Sequence, residues 1–231
     1  MKQEVKEFLD SHANKEKAEF DSKIVKSSLP ILGIKTCDLE KFAKILAKEG
    51  VGLNDFDFLC HEEVILAGMI IGYKKCSTKE KVTLLEQIFS YFDNWAVVDT
   101  IVPRLKGMES ERWYFENLLK SDKEFVRRTG IIFLMKFALS SDLERVVNLM
   151  KDAINDHYYV KMAIAWCYSE AFIKDYDFMK DFIQSIDDKF VRNKSIQKAC
   201  ESFRLTSEEK SQIRQLKIWV VKSLEKIFKY V

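Results

Sequence analysis

Trp95 and Asp99 are the residues whose types and spacing most readily suggest chemistry. They are four positions apart, so on a helix they lie on the same side, one turn above the other. Val98, Ile101 and Val102 give that helix an apolar stripe, and Asp99 lies at its margin. A carboxylate beside an aromatic ring could be a fixed negative charge in a cleft. It could also cap or pair with a neighbouring helix, and the sequence leaves both interpretations open.

Trp166 and the adjacent Arg127 and Arg128 are the next candidates. Trp166 lies in a run of small residues, 163–167, which lets helices approach closely. A tryptophan there can be a core residue or a platform for a ligand. The two arginines follow an aromatic–Val pair at a predicted helix start. Arginines at such a position can be solvated, or they can lie on the inner rim of a helical solenoid, where such proteins bind extended partners.

The elements that must position these residues follow a recurring pattern. One pattern recurs around Val126, Val160 and Val191, at gaps of 34 and 31 residues. It consists of an acidic residue, an aromatic residue, Val, a basic residue and an apolar stretch. Self-similarity at this period is typical of stacked helical hairpins, each of which buries its apolar face on its neighbours. We therefore predict an all-α fold, a right-handed superhelical solenoid of antiparallel HEAT-like or ARM-type helix pairs, forming one domain over residues 1–231.

Composition agrees with a helical, ordered protein. Apolar residues make up 47% of the chain and charged residues 32%, and only 7 Gly and 2 Pro are present. These are too few turn residues for a sheet protein of this size. No apolar run is long enough to span a membrane, and the amino terminus lacks a signal-peptide core. We therefore expect no membrane partner. We also expect a monomer, and the cysteine usage described next favours the cytoplasm.

Cysteine and histidine usage argues against metal and disulfide chemistry. The five cysteines are scattered and never form a CxxC pair, and the three histidines have no metal-ligand spacing. A reducing compartment fits this pattern. We expect no metal and no cofactor.

The charge distribution is uneven along the chain. The net charge is +2, but residues 189–231 alone carry a net +7. A basic carboxy-terminal arm can mark contact with a polyanion. It can also be a solvated helix face, and charge alone leaves both open.

Local signals place most helix boundaries. Helices are predicted over 2–11 and 14–27, and the second ends before Pro30 because the residue preceding a proline avoids the helical region. Thr36 and Ser77 are predicted N-caps, and Asp93 with Asn94 opens a helix that ends near Pro103. Further helices are predicted over 111–120, 125–138, 142–153, 159–172, 175–185, 190–202 and 207–229.

Four segments in the same order resemble a known family. They are residues 14–19 with the turn 32–36, the Trp-x-x-Val-Asp motif at 95–99, the aromatic-x-x-Arg helix start at 125–128, and the tryptophan helix at 159–166. Together they resemble the AlkD-type family of bacterial DNA glycosylases, which are HEAT-like repeat proteins that remove alkylated bases. The resemblance covers nearly the whole chain.

The resemblance implies a role for each motif residue. Asp99 would be the catalytic carboxylate, Trp95 and Trp166 the aromatic walls around the deoxyribose of the lesion, and Arg128 a phosphate contact. Ala96 stands where the family commonly has an acidic residue, and Ile24 where it often has a tyrosine. Further basic side chains are candidate phosphate contacts that position the duplex without reading bases: Arg104, Arg112, Arg127, Lys161, Arg192, Lys194 and Lys198.

The implied activity is base excision by a monofunctional alkylpurine glycosylase acting on double-stranded DNA. An N3- or N7-alkylated purine is cationic and leaves without protonation, so the acid–base carboxylate pair of ordinary glycosidases is not needed. One carboxylate, Asp99, can stabilise the positive sugar and position water. The resemblance implies that the duplex is held without a base-flipping pocket. No lysine nucleophile is indicated, so we expect base removal without strand cleavage.

A rival interpretation needs no chemistry. A HEAT-like scaffold could bind DNA or a protein partner without using Asp99, and Asp99→Asn would then leave its function intact. A small-molecule hydrolase is disfavoured because no nucleophile–base–acid constellation is present.

Overall fold

A computed structural model describes residues 2–219, which contain α-helices and short 3-10 turns and no β-strand. The all-α prediction is confirmed for this part of the chain. None of its helices combines the length and apolar character needed to cross a bilayer.

Thirteen α-helices are present within residues 2–219. They are α1 Lys2–His12, α2 Lys15–Ile24, α3 Thr36–Lys48, α4 His61–Tyr73, α5 Thr78–Ile88, α6 Trp95–Ile101, α7 Arg112–Leu118, α8 Glu124–Phe137, α9 Leu143–Asp152, α10 Tyr158–Lys174, α11 Tyr176–Phe182, α12 Lys189–Glu201 and α13 Ser207–Arg214. Short 3-10 turns lie at Leu53–Asp55, Phe89–Tyr91, Val102–Arg104, Glu109–Glu111 and Ile183–Ser185.

Two predicted helix starts are confirmed and one is wrong. The Ser77 hydroxyl accepts from the backbone N–H of Glu80, and the Asn94 side chain caps α6. Thr36 is not an N-cap, because it is already the first residue of α3. The capping position belongs to Lys35, whose side chain makes no cap hydrogen bond. The carbonyl of Lys35 accepts the first backbone bonds of α3, so the helix begins one residue earlier than a Thr36 cap requires.

Two predicted helix ends were placed too far along the chain. α2 ends at Ile24, because Val25 turns to an extended conformation and buries its side chain. α13 ends at Arg214 and residues 215–219 are not helical, whereas the predicted helix ran to 229. The Asn193 side chain of α12 bonds both backbone groups of Ile218 and holds this segment out of a helix. The remainder of that prediction lies outside the described residues.

The chain divides into two compact units, 1–163 and 164–231, with the division inside α10. In the first unit α4 is central: residues 61–72 are all buried. In the second unit the core is formed by apolar side chains of α10 to α13, among them Phe172, Met179, Ile196 and Ile213. The single-domain interpretation stays a prediction.

Glycines of α4 set the position of α6 in the first unit. A Cβ added at Gly68 would lie 2.3 Å from the Ile101 side chain, and one at Gly72 would lie 2.5 Å from the Arg104 carbonyl. Only a residue without a side chain allows so close an approach. The helix that carries Trp95 and Asp99 is therefore held tightly against the centre of the unit.

Candidate functional site

The amino end of α6 is fixed by a polar network. The Asn94 side-chain oxygen accepts from Val97 N–H at 3.1 Å, and its amide nitrogen lies 3.4 Å from His61 Nδ1. The Asp93 carboxylate accepts from the Asn94 amide at 2.6 Å and from the backbone N–H of Ser28. Burial lowers the pKa of His61. The first turn of α6 is thus anchored to α4 and to the segment that follows α2.

Trp95 is the first residue of α6 and is half-buried. Its indole N–H donates to the carbonyl of Ile24, the last residue of α2, at 3.3 Å. The Ile24 side chain beside it is 50% exposed. The indole is therefore fixed at its polar edge by the end of a neighbouring helix.

Asp99 lies one turn after Trp95 and forms a two-point ion pair with Arg128 of α8. Its Oδ1 accepts from Arg128 Nε at 2.9 Å, and its Oδ2 from Nη2 at 2.7 Å. The Asp99 side chain is 17% exposed and that of Arg128 6%. The sequence left open whether Asp99 pairs with a neighbouring helix, and in the structure it does.

Arg128 is held from a third direction by the start of α10. Its Nη1 donates to the carbonyl of Tyr159 at 2.6 Å, and the backbone N–H of Tyr159 donates to the Glu124 carboxylate at 2.7 Å. The guanidinium therefore uses three of its five N–H groups inside the protein. Sequence reasoning missed both the Asp99–Arg128 pair and the part played by Glu124.

The ion pair fixes the orientation of the Asp99 carboxylate and leaves some of its hydrogen-bond acceptor sites unused. An ionised carboxylate offers about four lone-pair sites, and Arg128 occupies two of them. The rest can accept from water or face a cation, because the side chain keeps some exposure. A carboxylate oriented before the substrate arrives is the form that stabilises developing positive charge best.

Trp166 belongs to the second unit, where it is half-buried in α10. It lines a small cleft of about 270 Å³ with polar and charged neighbours, including Glu170, Lys198 and Arg204. Both Glu170 oxygens accept from Arg204 at 2.9 Å. Trp166 is therefore neither sealed in a core nor fully exposed.

Comparison with protein families bears directly on this site. The family model for the DNA alkylation repair enzyme matches residues 5–203, which include Trp95, Asp99, Arg128 and Trp166. The chain belongs to the DNA alkylation repair enzyme family. The family resemblance seen in the sequence is thereby confirmed. No curated protein matches the chain.

The arginines that were predicted to contact phosphate are engaged within the protein. Arg104 donates to Glu40 at 2.7 Å and to the Thr100 carbonyl at 2.6 Å. Lys44, Arg104 and the Tyr73 hydroxyl hold the pKa of the Glu40 carboxyl at about 2. The Arg104 side chain is thus fixed beside the last turn of α6.

The other candidates of the first unit are also held. Arg127 donates to the carbonyls of Ser121 and Ala153, at 2.7 and 3.3 Å. Arg112 pairs with Glu116 and Asp142, and Lys161 lies 3.6 Å from Asp156. Each arginine retains N–H groups beyond these bonds, so a phosphate role stays a prediction for all of them.

Two phosphate-contact candidates of the second unit, Arg192 and Lys194, also form hydrogen bonds within the protein. Arg192 donates to the carbonyls of Leu216 and Gln184, at 2.7 and 3.1 Å. Lys194 donates to the Gln197 side chain at 2.9 Å on an exposed helix face.

Within residues 2–219 no three or more His, Cys, Asp or Glu side chains are grouped so that they could hold a metal ion.

Proposed function

We propose that this member of the DNA alkylation repair enzyme family is a monofunctional glycosylase that hydrolyses the N-glycosidic bond of cationic N3- or N7-alkylated purines in duplex DNA. The observation that carries the proposal is the Asp99 carboxylate, held at two points by Arg128 one turn from Trp95. In a chain of this family, a carboxylate that Arg128 holds in place beside the Trp95 ring is suited to stabilising a cationic sugar.

The proposed reaction needs one carboxylate. The C1′–N bond breaks with its electron pair passing to the purine, whose positive charge is thereby neutralised. Positive charge develops on the deoxyribose and is stabilised by Asp99. Water then attacks C1′, and its proton passes to Asp99 or to solvent. The leaving base needs no general acid, unlike a sugar leaving group in ordinary glycoside hydrolysis.

Arg128 acts in this mechanism as a positioning residue. It is almost fully buried and donates three N–H groups to Asp99 and the Tyr159 carbonyl. Trp95 adds attraction between its π face and the cationic sugar, worth about 0.5–2 kcal/mol. We assign Trp166 a similar role on the family resemblance alone.

The wider arrangement is also part of the proposal. We infer a HEAT-like solenoid of antiparallel helix pairs, acting as a monomer in one domain, which holds the duplex by its backbone and approaches the lesion without a base-flipping pocket. The family match and the all-helical structure support this arrangement.

The test is release of free base from duplex DNA carrying N7-methylguanine. Wild type should release the base, and Asp99→Asn should not, while both bind the duplex with similar affinity. Release by both proteins would remove Asp99 from the mechanism.

A second candidate function is DNA binding without catalysis. It is favoured by one observation: both Asp99 oxygens already accept from Arg128, as they would in a purely structural pair. This function predicts no base release by wild type under any condition, together with salt-sensitive binding to undamaged duplex.

A further inference from the structure

A cleft of about 590 Å³ lies in the first unit, where the carboxyl ends of α3 and α4 meet. Four lysines line it: Lys44, Lys48, Lys74 and Lys75. We call it the lysine cleft. Its other lining residues, Ala47, Gly50 and Tyr73, carry no charge at neutral pH, so every charged group that lines the cleft is positive.

Three of the four ammonium groups have no partner within the described residues. Lys44 pairs with Glu40 at 2.9 Å, and its ammonium lies 5.1 Å from the centre of the Tyr73 ring. Within residues 2–219, Lys48, Lys74 and Lys75 form no side-chain hydrogen bond or ion pair. Glu49 follows Lys48 in sequence but does not line the cleft.

Helix ends explain part of this charge and not all of it. α3 ends at Lys48 and α4 ends at Tyr73, and a cation near a helix carboxyl end interacts favourably with the helix dipole. One lysine at each helix end would serve that purpose. Additional unpaired ammonium groups around one concavity repel one another, and an anion with several charges removes that repulsion.

The chemistry of the lining favours phosphate as the anion. Lysine binds phosphate as a flexible point charge, without the fixed fork geometry of arginine. The cleft is large enough for more than one phosphate group.

The lysine cleft is connected to the helix that carries Asp99. Glu40 accepts from Lys44 of the cleft and from Arg104, and Arg104 donates to the carbonyl of Thr100. Thr100 follows Asp99 directly. Arg104 lies five residues beyond Asp99, roughly 8 Å along a helix axis. The cleft is therefore joined to α6 by a short series of hydrogen bonds within the first unit.

We propose that the lysine cleft is a second anion-binding site, which holds phosphates of the duplex backbone beside the lesion. For this source of phosphate the inference rests on the proposed function, since it takes DNA as the substrate. A free polyphosphate offers the same chemistry, and the experiment separates the two sources.

The experiment compares two double variants that remove the same charge. The cleft variant is Lys48→Ala with Lys74→Ala. The control is Lys79→Ala with Lys106→Ala, two exposed lysines outside the cleft that form no side-chain bond within the described residues. Thermal unfolding of each variant checks that both fold like wild type.

The first measurement is binding of an undamaged duplex over a range of salt concentrations. The cleft variant should bind at least about tenfold more weakly at 50 mM salt, with a log–log salt slope smaller in magnitude by about 2. The control should keep the wild-type slope. This measurement needs no base release, so its result remains valid even if Asp99 proves not to be catalytic.

The second measurement is binding of inorganic tripolyphosphate by calorimetry. If the cleft variant loses saturable binding of tripolyphosphate but binds the duplex normally, the phosphate site stands and its occupant is a free polyphosphate. If the cleft variant and the control behave alike with both ligands, the proposal is overturned. Failure of Asp99→Asn to change base release would refute the proposed function and leave this result untouched.

Discussion

The pair formed by Asp99 and Arg128 predicts a measurable coupling between stability and catalysis. Arg128→Gln removes the guanidinium and leaves the Asp99 carboxylate without its two donors. Breaking a buried ion pair by removing one partner costs about 3–5 kcal/mol. Asp99 keeps 17% exposure, so water replaces part of the lost interaction and the lower end, about 3 kcal/mol, is expected.

The assay is a double-mutant cycle on the free energy of unfolding in urea. Wild type, Asp99→Asn, Arg128→Gln and the double variant are compared, and we expect a coupling energy of about 2 kcal/mol or more. The double variant should be less destabilised than the sum of the single changes, because it leaves no unpaired charge. A coupling energy below about 0.5 kcal/mol would refute the structural reasoning.

The same Arg128→Gln variant separates positioning from phosphate binding. If Arg128 orients Asp99, single-turnover base release should slow by about tenfold or more, while the affinity for undamaged duplex and its salt slope stay near wild type. If Arg128 instead contacts a phosphate, the salt slope should fall by about 1. Arg128→Lys is the matched control, since it keeps the charge and loses the two-point geometry.

Two further predictions concern packing and pH. Gly68→Ala places a methyl group against Ile101 and should lower the free energy of unfolding by about 1–3 kcal/mol in urea; an unchanged value would mean that α6 is not held by this contact. The pKa of Glu40 is lowered to about 2, so its stabilising contribution is present above about pH 4.5 and is lost as the pH falls towards 2. Glu40→Gln should therefore weaken the acid sensitivity of unfolding in this window by about 1 kcal/mol or less, and an identical pH profile would contradict the assignment.

Much of the local structure could be predicted because its causes are local. The caps at Ser77 and Asn94 depend on a side chain and a backbone N–H three residues apart, so sequence reveals them. The four-residue spacing of Trp95 and Asp99 fixes their common side of α6 for the same reason. Where a longer-range contact competes, as for Ile218 held by Asn193, the predicted helix was too long.

The sequence by itself determined the helical class, the family resemblance and the chemical types at the candidate site. Only the tertiary structure decided the partners. Arg128 meets Asp99 across 29 residues, and Arg104 meets Glu40 across 64. Any of several carboxylates could have met either arginine, because long side chains have no sequence signal for their partners. The glycines of α4 let α6 and Arg104 approach closely, and the packing of α8 on α6 and of α3 on α4 brings Arg128 and Glu40 within hydrogen-bonding distance of them.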